Sequence, residues 1–251
     1  MPDVSSRVRR PELMDDPSLP VADHRAALRG LARINSFART NRAMTARVLA
    51  EVRRFIARTS DSAGNPVRVL DIATGGGDLP VAIAVAAKAA GLQVAVCGCD
   101  FSPIALRHAA DLAARRNVSV AWFSHDIVAA DLPERYDIIT CGLFLHHLDE
   151  PEIITVLGRL ARATDGVLLV QDLRRSSLGL LLARIVPRLL TRSHVVHTDA
   201  VLSVQGALTM SELAAMASKA GLTGATVTAL FPERMQLRYD AELPGQARRP
   251  A

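Results

Sequence analysis

The stretch VLDIATGGGDLP, Val69 to Pro80, places three consecutive glycines between an apolar run containing an acid and a run of helix-forming residues. A reverse turn needs one glycine, or two. Three mark a corner where the backbone takes unusual φ values or where another molecule passes within van der Waals reach. Before the corner, Val67 to Ile72 is apolar enough to predict a strand buried on both faces. After it, Leu79 to Ala90 predicts a helix, with Asp78 as its N-cap, Pro80 in the first turn and Gly91 as its stop.

The same alternation continues along the chain. Gln93 to Cys99, Val118 to Phe123, Tyr136 to Cys141 and Gly166 to Gln171 read as strands, separated by a helix that opens at Ser102-Pro103 and stops at Asn117 and by another after Pro151. Strands alternating with helices of this length predict right-handed βαβ units, hence an α/β fold with a parallel sheet covered by helices on both faces. Asp23 to Ala57 predicts one or two helices broken near Arg39-Thr40-Asn41. Thr209 to Ala220 predicts a closing helix ended by Gly221, with Ala225 to Phe231 and Met235 to Tyr239 as last strands. The expected organisation is a flexible leader over 1–20, a helical arm over 21–60, a sheet domain over 66–240 with a helical cap insertion at about 174–208, and a tail over 241–251.

Composition narrows the function. A chain of 251 residues with 49% hydrophobic and 22% charged residues builds a sizeable core. The start lacks the apolar stretch of a secretory signal, which points to the cytoplasm. Leu178 to Leu190 is interrupted by Arg184, Pro187 and Arg188 and is too short to cross a bilayer. Cys97, Cys99 and Cys141 form no CxxC pair and have no matching histidine cluster, so neither a disulfide framework nor a metal site is expected. The net charge of +5 comes with only 4% aromatic residues and no basic cluster, which argues against a nucleic-acid partner.

In an open parallel sheet, ligands bind beyond the carboxyl ends of the strands where strand order reverses. A dinucleotide fingerprint requires a sixth-position glycine, and counting from Gly75 that position is Pro80. Asp71, just before the glycines, disfavours a pyrophosphate and favours a cationic group. Asp100 lies 23 residues after Gly77, where an acid accepts ribose hydroxyls. Asp126 follows the third strand, placed to accept from an adenine amine while Phe101 or Ile127 covers the ring. The ligand is a nucleoside with a positive charge.

The run Val69 to Asp78, with Asp100, Asp126 and Tyr136-Asp137-Ile138-Ile139-Thr140-Cys141 leading into Leu145-His146-His147-Leu148, resembles the class I S-adenosylmethionine-dependent methyltransferases over about residues 66–172. Among these it is most similar to the ubiquinone and menaquinone biosynthesis enzymes and to polyketide-associated small-molecule methyltransferases. The resemblance implies a Rossmann-like seven-stranded, mostly parallel sheet with an antiparallel last strand, and S-adenosylmethionine as cofactor. It places Asp71, Ala73 (where many members have glycine), Gly75 and Gly77 near the methionine moiety, Asp100 on the ribose, and Asp126 with Ile127 at the adenine. Phe101, Cys141 and Gly142 complete the expected cofactor-binding set.

Methyl transfer to a hydroxyl or an acidic carbon needs a base, and the cofactor carboxylates are already engaged. His146 and His147, after the strand ending at Cys141, are the candidates. Adjacent residues of a helix point about 100° apart, so one histidine faces the substrate, and His146 is preferred. Asp172 is a second candidate, as base, as the partner that orients a histidine, or as the anchor of the Arg174-Arg175 loop. His194, His197 and Asp199 are expected on a polar rim of the acceptor pocket, and the leucines of the insertion on its apolar lid. Arg184, Arg188 and Arg192, at spacing four, predict a basic stripe able to rest on anionic membrane headgroups.

The expected activity is methylation of oxygen or carbon on a small aromatic, quinone-like, polyketide or lipidic acceptor, by a monomer or homodimer. A nicotinamide-dependent oxidoreductase and a methyltransferase-like binding protein without turnover are the competing readings.

Overall fold

The computed structural model describes residues 4–16, 18–37, 40–59 and 65–241. Helices α1 (Val21–Phe37) and α2 (Thr40–Thr59) precede β1 (Val67–Ile72), α3 (Asp78–Ala89), β2 (Val94–Asp100), α4 (Pro103–Arg115), β3 (Ala121–Ser124) and β4 (Tyr136–Gly142). Then come α5 (Glu150–Arg162), β5 (Thr164–Leu173), α6 (Ser177–Leu190), α7 (His194–Gly206), α8 (Met210–Lys219), β6 (Thr226–Leu230) and β7 (Arg234–Asp240). The seven strands form one sheet in the order β3-β2-β1-β4-β5-β7-β6. Strands β1 to β5 are parallel where they pair, and β7 runs antiparallel to both β5 and β6. This is the Rossmann-like fold of the expectation. The chain leaves β1 for β2 on one side and returns to β4 on the other, so the crevice where strand order reverses opens between β1 and β4.

Alternation along the strands produces two cores. Leu70, Ile72, Ile139, Leu168 and Val170 point to one face, under Ile153, Val156, Leu157 and Leu160 of α5 and Leu213 and Met216 of α8. Val67, Val69, Ile138, Val167 and Leu169 point to the other, under Ile83 of α3 and Met44, Val48 and Val52 of α2. Spacing of four puts those three α2 residues on one helical face, and all are buried. Helix α2 therefore belongs to the sheet core, which corrects the expected separate arm, while α1 packs with α6 and α7 through Ala27, Val195 and Val196. The expected break at Arg39 falls outside the described residues.

Local corrections have local causes. Gly77, not Asp78, is the N-cap of α3, and Asp78 is the first helical residue. Strand β3 begins at Ala121 rather than Val118, because Asn117 at φ 52° turns the chain and the Val118 amide donates back to Ala113. The flexible leader is also corrected over residues 4–16, which lie across the fold as a strap. Arg7 donates to the carbonyls of Gly206 and Leu148, each at 2.6 Å, and the amides of Leu13 and Met14 donate to Asp199. Of the expected tail, Ala241 is buried and its amide donates to Gly166, and the rest lies outside the described residues.

Candidate active site

The glycine corner divides its work. At Gly75, φ is 53° and a Cβ would meet nothing within 4 Å, so its outer side borders open space. At Gly77, φ is 78° and a Cβ would lie 2.6 Å from Ala109 Cβ and 2.9 Å from Trp122 Cη2. Gly77 thus lets α3 close against α4 and β3. At Gly76 a Cβ would lie 3.2 Å from the His108 ring. We expect Gly77→Ala to cost about 2–5 kcal/mol through left-handed strain plus overpacking. Gly75→Ala should cost only about 1–2 kcal/mol and keep the fold. Thermal unfolding checks the order, and equal losses would contradict the division.

Ala73 and Leu143, one at each side of the β1–β4 crevice, also have positive φ, 52° and 56°. Left-handed backbone at Ala73 is the physical reason a glycine fits that position. Asp71 is buried beneath the corner and accepts from Thr140 Oγ1 at 2.6 Å and Thr74 Oγ1 at 2.8 Å. Burial pushes its carboxyl up to about 6 despite those two hydrogen bonds. Among the described residues no cation pairs with it. Asp100 accepts the Gly75 amide at 2.8 Å and the Ser102 amide at 2.9 Å, so it shapes the corner as well as facing the crevice.

The other expected cofactor residues differ in exposure. Asp126 is exposed and its Oδ1 accepts the amides of Val128 and Ala129. Phe101 is exposed, whereas Ile127 is turned into the core. Of the two proposed to cover a ring, Phe101 presents its side chain to the surface. The Cys141 side chain is wholly buried between Asp71 and Asp172, and burial with those two charges drives its thiol well up. It offers only backbone to a ligand, while Gly142 beside it borders open space.

The donor set nevertheless fits a cationic nucleoside. It comprises a buried carboxylate lacking a cation, a corner open at Gly75, an acid at the end of β2 and an exposed aromatic ring next to it. Residues 69–165 match the family described as "Methyltransferase domain". Residues 69–165 of the chain carry a methyltransferase domain. No curated protein matches the chain. Among solved structures, magnesium protoporphyrin IX methyltransferase from Synechocystis PCC 6803 with bound SAH is similar at 16% identity over 90% of each chain, with a TM-score of 0.54. The plantazolicin methyltransferase BpumL with SAH is 15% identical over 88% of this chain and 99% of its own, TM-score 0.55. Mitomycin 7-O-methyltransferase is 23% identical over 80% of this chain and 56% of its own, TM-score 0.52. At these identities the likeness is one of fold.

Beyond the corner, the methyltransferase domain carries a second polar centre. His146 and His147 lie in a 3-10 turn, Leu145–His147, between β4 and α5. The capping box of Asp149 and Glu152 fixes the start of α5 just after it. The His146 amide donates to Asp172 Oδ2 at 3.1 Å, and His146 Nδ1 lies 2.7 Å from Asp172 Oδ1. Burial alone would raise Asp172, but the charge and hydrogen bond of His146 outweigh it and hold the carboxyl below its usual range. An ionised carboxylate can only accept, so Nδ1 is the nitrogen that donates to Asp172, and whenever the ring is neutral its lone pair is at Nε2.

Asp172 does not anchor the arginine loop, the alternative role considered for it. Arg174 pairs with Glu233, and Arg175 with Glu212. His147 is half-buried with its ring 4.2 Å from that of His146.

Sequence reasoning missed what faces Nε2. Glu12, on the strap, places Oε1 3.7 Å from His146 Nε2 and accepts from Ser203 Oγ. Ligand-type atoms of Glu12, His146 and His147 all lie within 4.8 Å of one another, a grouping absent from the cysteine-and-histidine count that predicted no metal. Arg7 and Arg9 hold the strap by donating to the carbonyls of Leu148 and His147. With the strap in place His146 is only 6% exposed.

The expected rim of His194, His197 and Asp199 is not one feature. His194 lines an outer hollow, His197 Nε2 lies 2.9 Å from the Thr191 carbonyl oxygen, and Asp199 is buried as an anchor of the strap. Nor do the insertion leucines line a single lid. Leu180 is buried, whereas Leu181, Ile185 and Leu189 face outward.

Proposed function

We propose that the methyltransferase domain methylates a hydroxyl, or an acidic carbon, of a small aromatic, quinone-like or polyketide acceptor in the cytoplasm. The observation that carries this is the 2.7 Å contact of His146 Nδ1 with an ionised Asp172 at the carboxyl ends of β4 and β5. A base is needed to methylate a phenol, and is not needed for an acceptor already ionised as a carboxylate. When bound, the cofactor supplies an electrophilic methyl group on a sulfonium. Asp71, the Gly75 corner, Asp100, Asp126 and Phe101 are the residues that would hold it.

Asp172 fixes the tautomer of His146. His146 Nε2 then takes the acceptor's proton as the oxygen becomes nucleophilic, and the positive ring is stabilised by Asp172 on one side and Glu12 on the other. The strap of residues 4–16 keeps water from that charge, and it must shift for an acceptor to reach Nε2. The similar structures act, by their names, on a porphyrin, on mitomycin and on plantazolicin, which supports a small acceptor.

The test is incubation with methyl-labelled S-adenosylmethionine and a panel of phenols, quinols and matched carboxylic acids. Label is expected in the phenol or quinol products. Label confined to the carboxylic acids, or transferred nowhere, would sink the proposal.

A further inference from the structure

Helix α6 turns an apolar stripe outward. Leu178, Leu181 and Ile185 are about half exposed and Leu189 is 78% exposed. Their steps of three, four and four residues put them within about 80° of arc at 100° per residue. Leu180 and Pro187, on the opposite side, are buried. The stripe continues at the β6–β7 turn. Glu233 accepts from Ser176, the N-cap of α6, and two residues before it Phe231 is 97% exposed.

Beside the far end of the stripe lies a hollow of 630 Å³ between α1 and the α6–α7 connection. Its lining includes Arg29, Arg33, Arg188 and Arg192, with Asp23 as the one carboxylate among the described residues.

We propose that this face docks on an anionic phospholipid surface, with the apolar stripe and Phe231 in the interfacial layer and the arginines on lipid phosphates. An apolar stripe with a basic cluster beside one end matches the two layers of a membrane interface. Arginine stems cover apolar surface while their guanidiniums reach polar groups. Among the described residues no helix is long and apolar enough to cross a membrane, so the contact is with a surface. Helix α7 packs between α6 and the His146 turn, which places the lipid face and the reactive centre on one stack. An acceptor with a lipid tail would arrive on that side.

The test is co-sedimentation of the full chain, without cofactor, with vesicles of phosphatidylcholine alone and with vesicles containing added phosphatidylglycerol. Binding is expected to the anionic vesicles only, and to weaken with salt. Arg29→Ala with Arg33→Ala should weaken it about 25-fold, at about fivefold per arginine. Leu181→Gln with Leu189→Gln should reduce it to background. These side chains are exposed, and circular dichroism checks folding. Phe231→Ser serves as an independent variant should a double substitution fail to fold.

Equal binding to both vesicle types, binding to neither, or variants that bind like the parent would overturn the proposal. So would concentration-dependent self-association that the leucine variant abolishes. None of these outcomes depends on methyl transfer, so the lipid face and the reaction fail or stand separately.

Discussion

His146→Ala should lower the rate of methyl transfer by about 10²- to 10⁴-fold, the range of a positioned general base, while leaving S-adenosylmethionine affinity essentially unchanged. The split follows from geometry. His146 is tied to Asp172 and Glu12, whereas the residues proposed to hold the cofactor lie at the ends of β1, β2 and β3. Asp172→Asn should lower the rate in the same direction, because an amide can stabilise the wrong tautomer and does not balance a positive ring. Activity should persist in a chelator, since the Glu12, His146 and His147 group acts by acid–base chemistry. Loss of activity with chelator and its return with a divalent cation would show those residues to be metal ligands instead. Parent-like turnover in His146→Ala would remove it from the mechanism.

Asp172 also makes acid stability a readout. Its folded pKa is depressed, so its contribution is present above the usual carboxylate range and lost as pH falls through the depressed value. Asp172→Asn removes that dependence, and the variant should lose less stability than the parent on acidification.

Asp100→Ala should weaken cofactor binding about 100-fold or more. Each charge-assisted hydrogen bond to a ribose hydroxyl contributes about 1.5–3 kcal/mol. The same carboxylate accepts the Gly75 and Ser102 amides, so its loss also loosens the corner. Asp100→Asn, which keeps one accepting oxygen, should fall between parent and alanine variant. Thermal unfolding separates the two effects, since a loosened corner lowers stability without ligand and a lost ribose contact does not. An unchanged dissociation constant in Asp100→Ala would refute the ribose assignment.

The sheet was legible because its signals are local. Val67 to Ile72 carries its own burial pattern, Ser102 caps α4 three residues before the amide it accepts, and Gly91 and Gly221 stop their helices with positive φ. Asp71 and Asp100 lie in the last residues of β1 and β2 and Asp126 just after β3, at one edge, because a parallel sheet brings successive strand ends together. Other features depend on contacts that no window contains. Glu12 meets His146 across more than a hundred residues, and the helical period of α2 shows an apolar face without saying that the sheet receives it. Gly75 and Gly77 are the same letter two positions apart, and only the approach of Ala109 and Trp122 separates a glycine bordering open space from a packed one. The insertion leucines were read as a lid because periodicity reveals a stripe but not which side of the helix meets the protein.

Calorimetric titration of the unmodified chain with S-adenosylmethionine, S-adenosylhomocysteine and NADH tests the central assignment most directly. Asp71 sets its pH dependence. Its folded pKa is raised to about 6, so the fold favours the neutral acid, and stability falls as pH rises from about 4 to about 6. A nearby cation reverses that preference by favouring the carboxylate. The assignment predicts that S-adenosylmethionine binds more tightly at about pH 7.5 than at about pH 5.5, releasing a proton at the lower pH. S-adenosylhomocysteine, without the sulfonium charge, should show a smaller change, and NADH should not bind. Tight binding of NADH with none of the sulfonium nucleoside would contradict it.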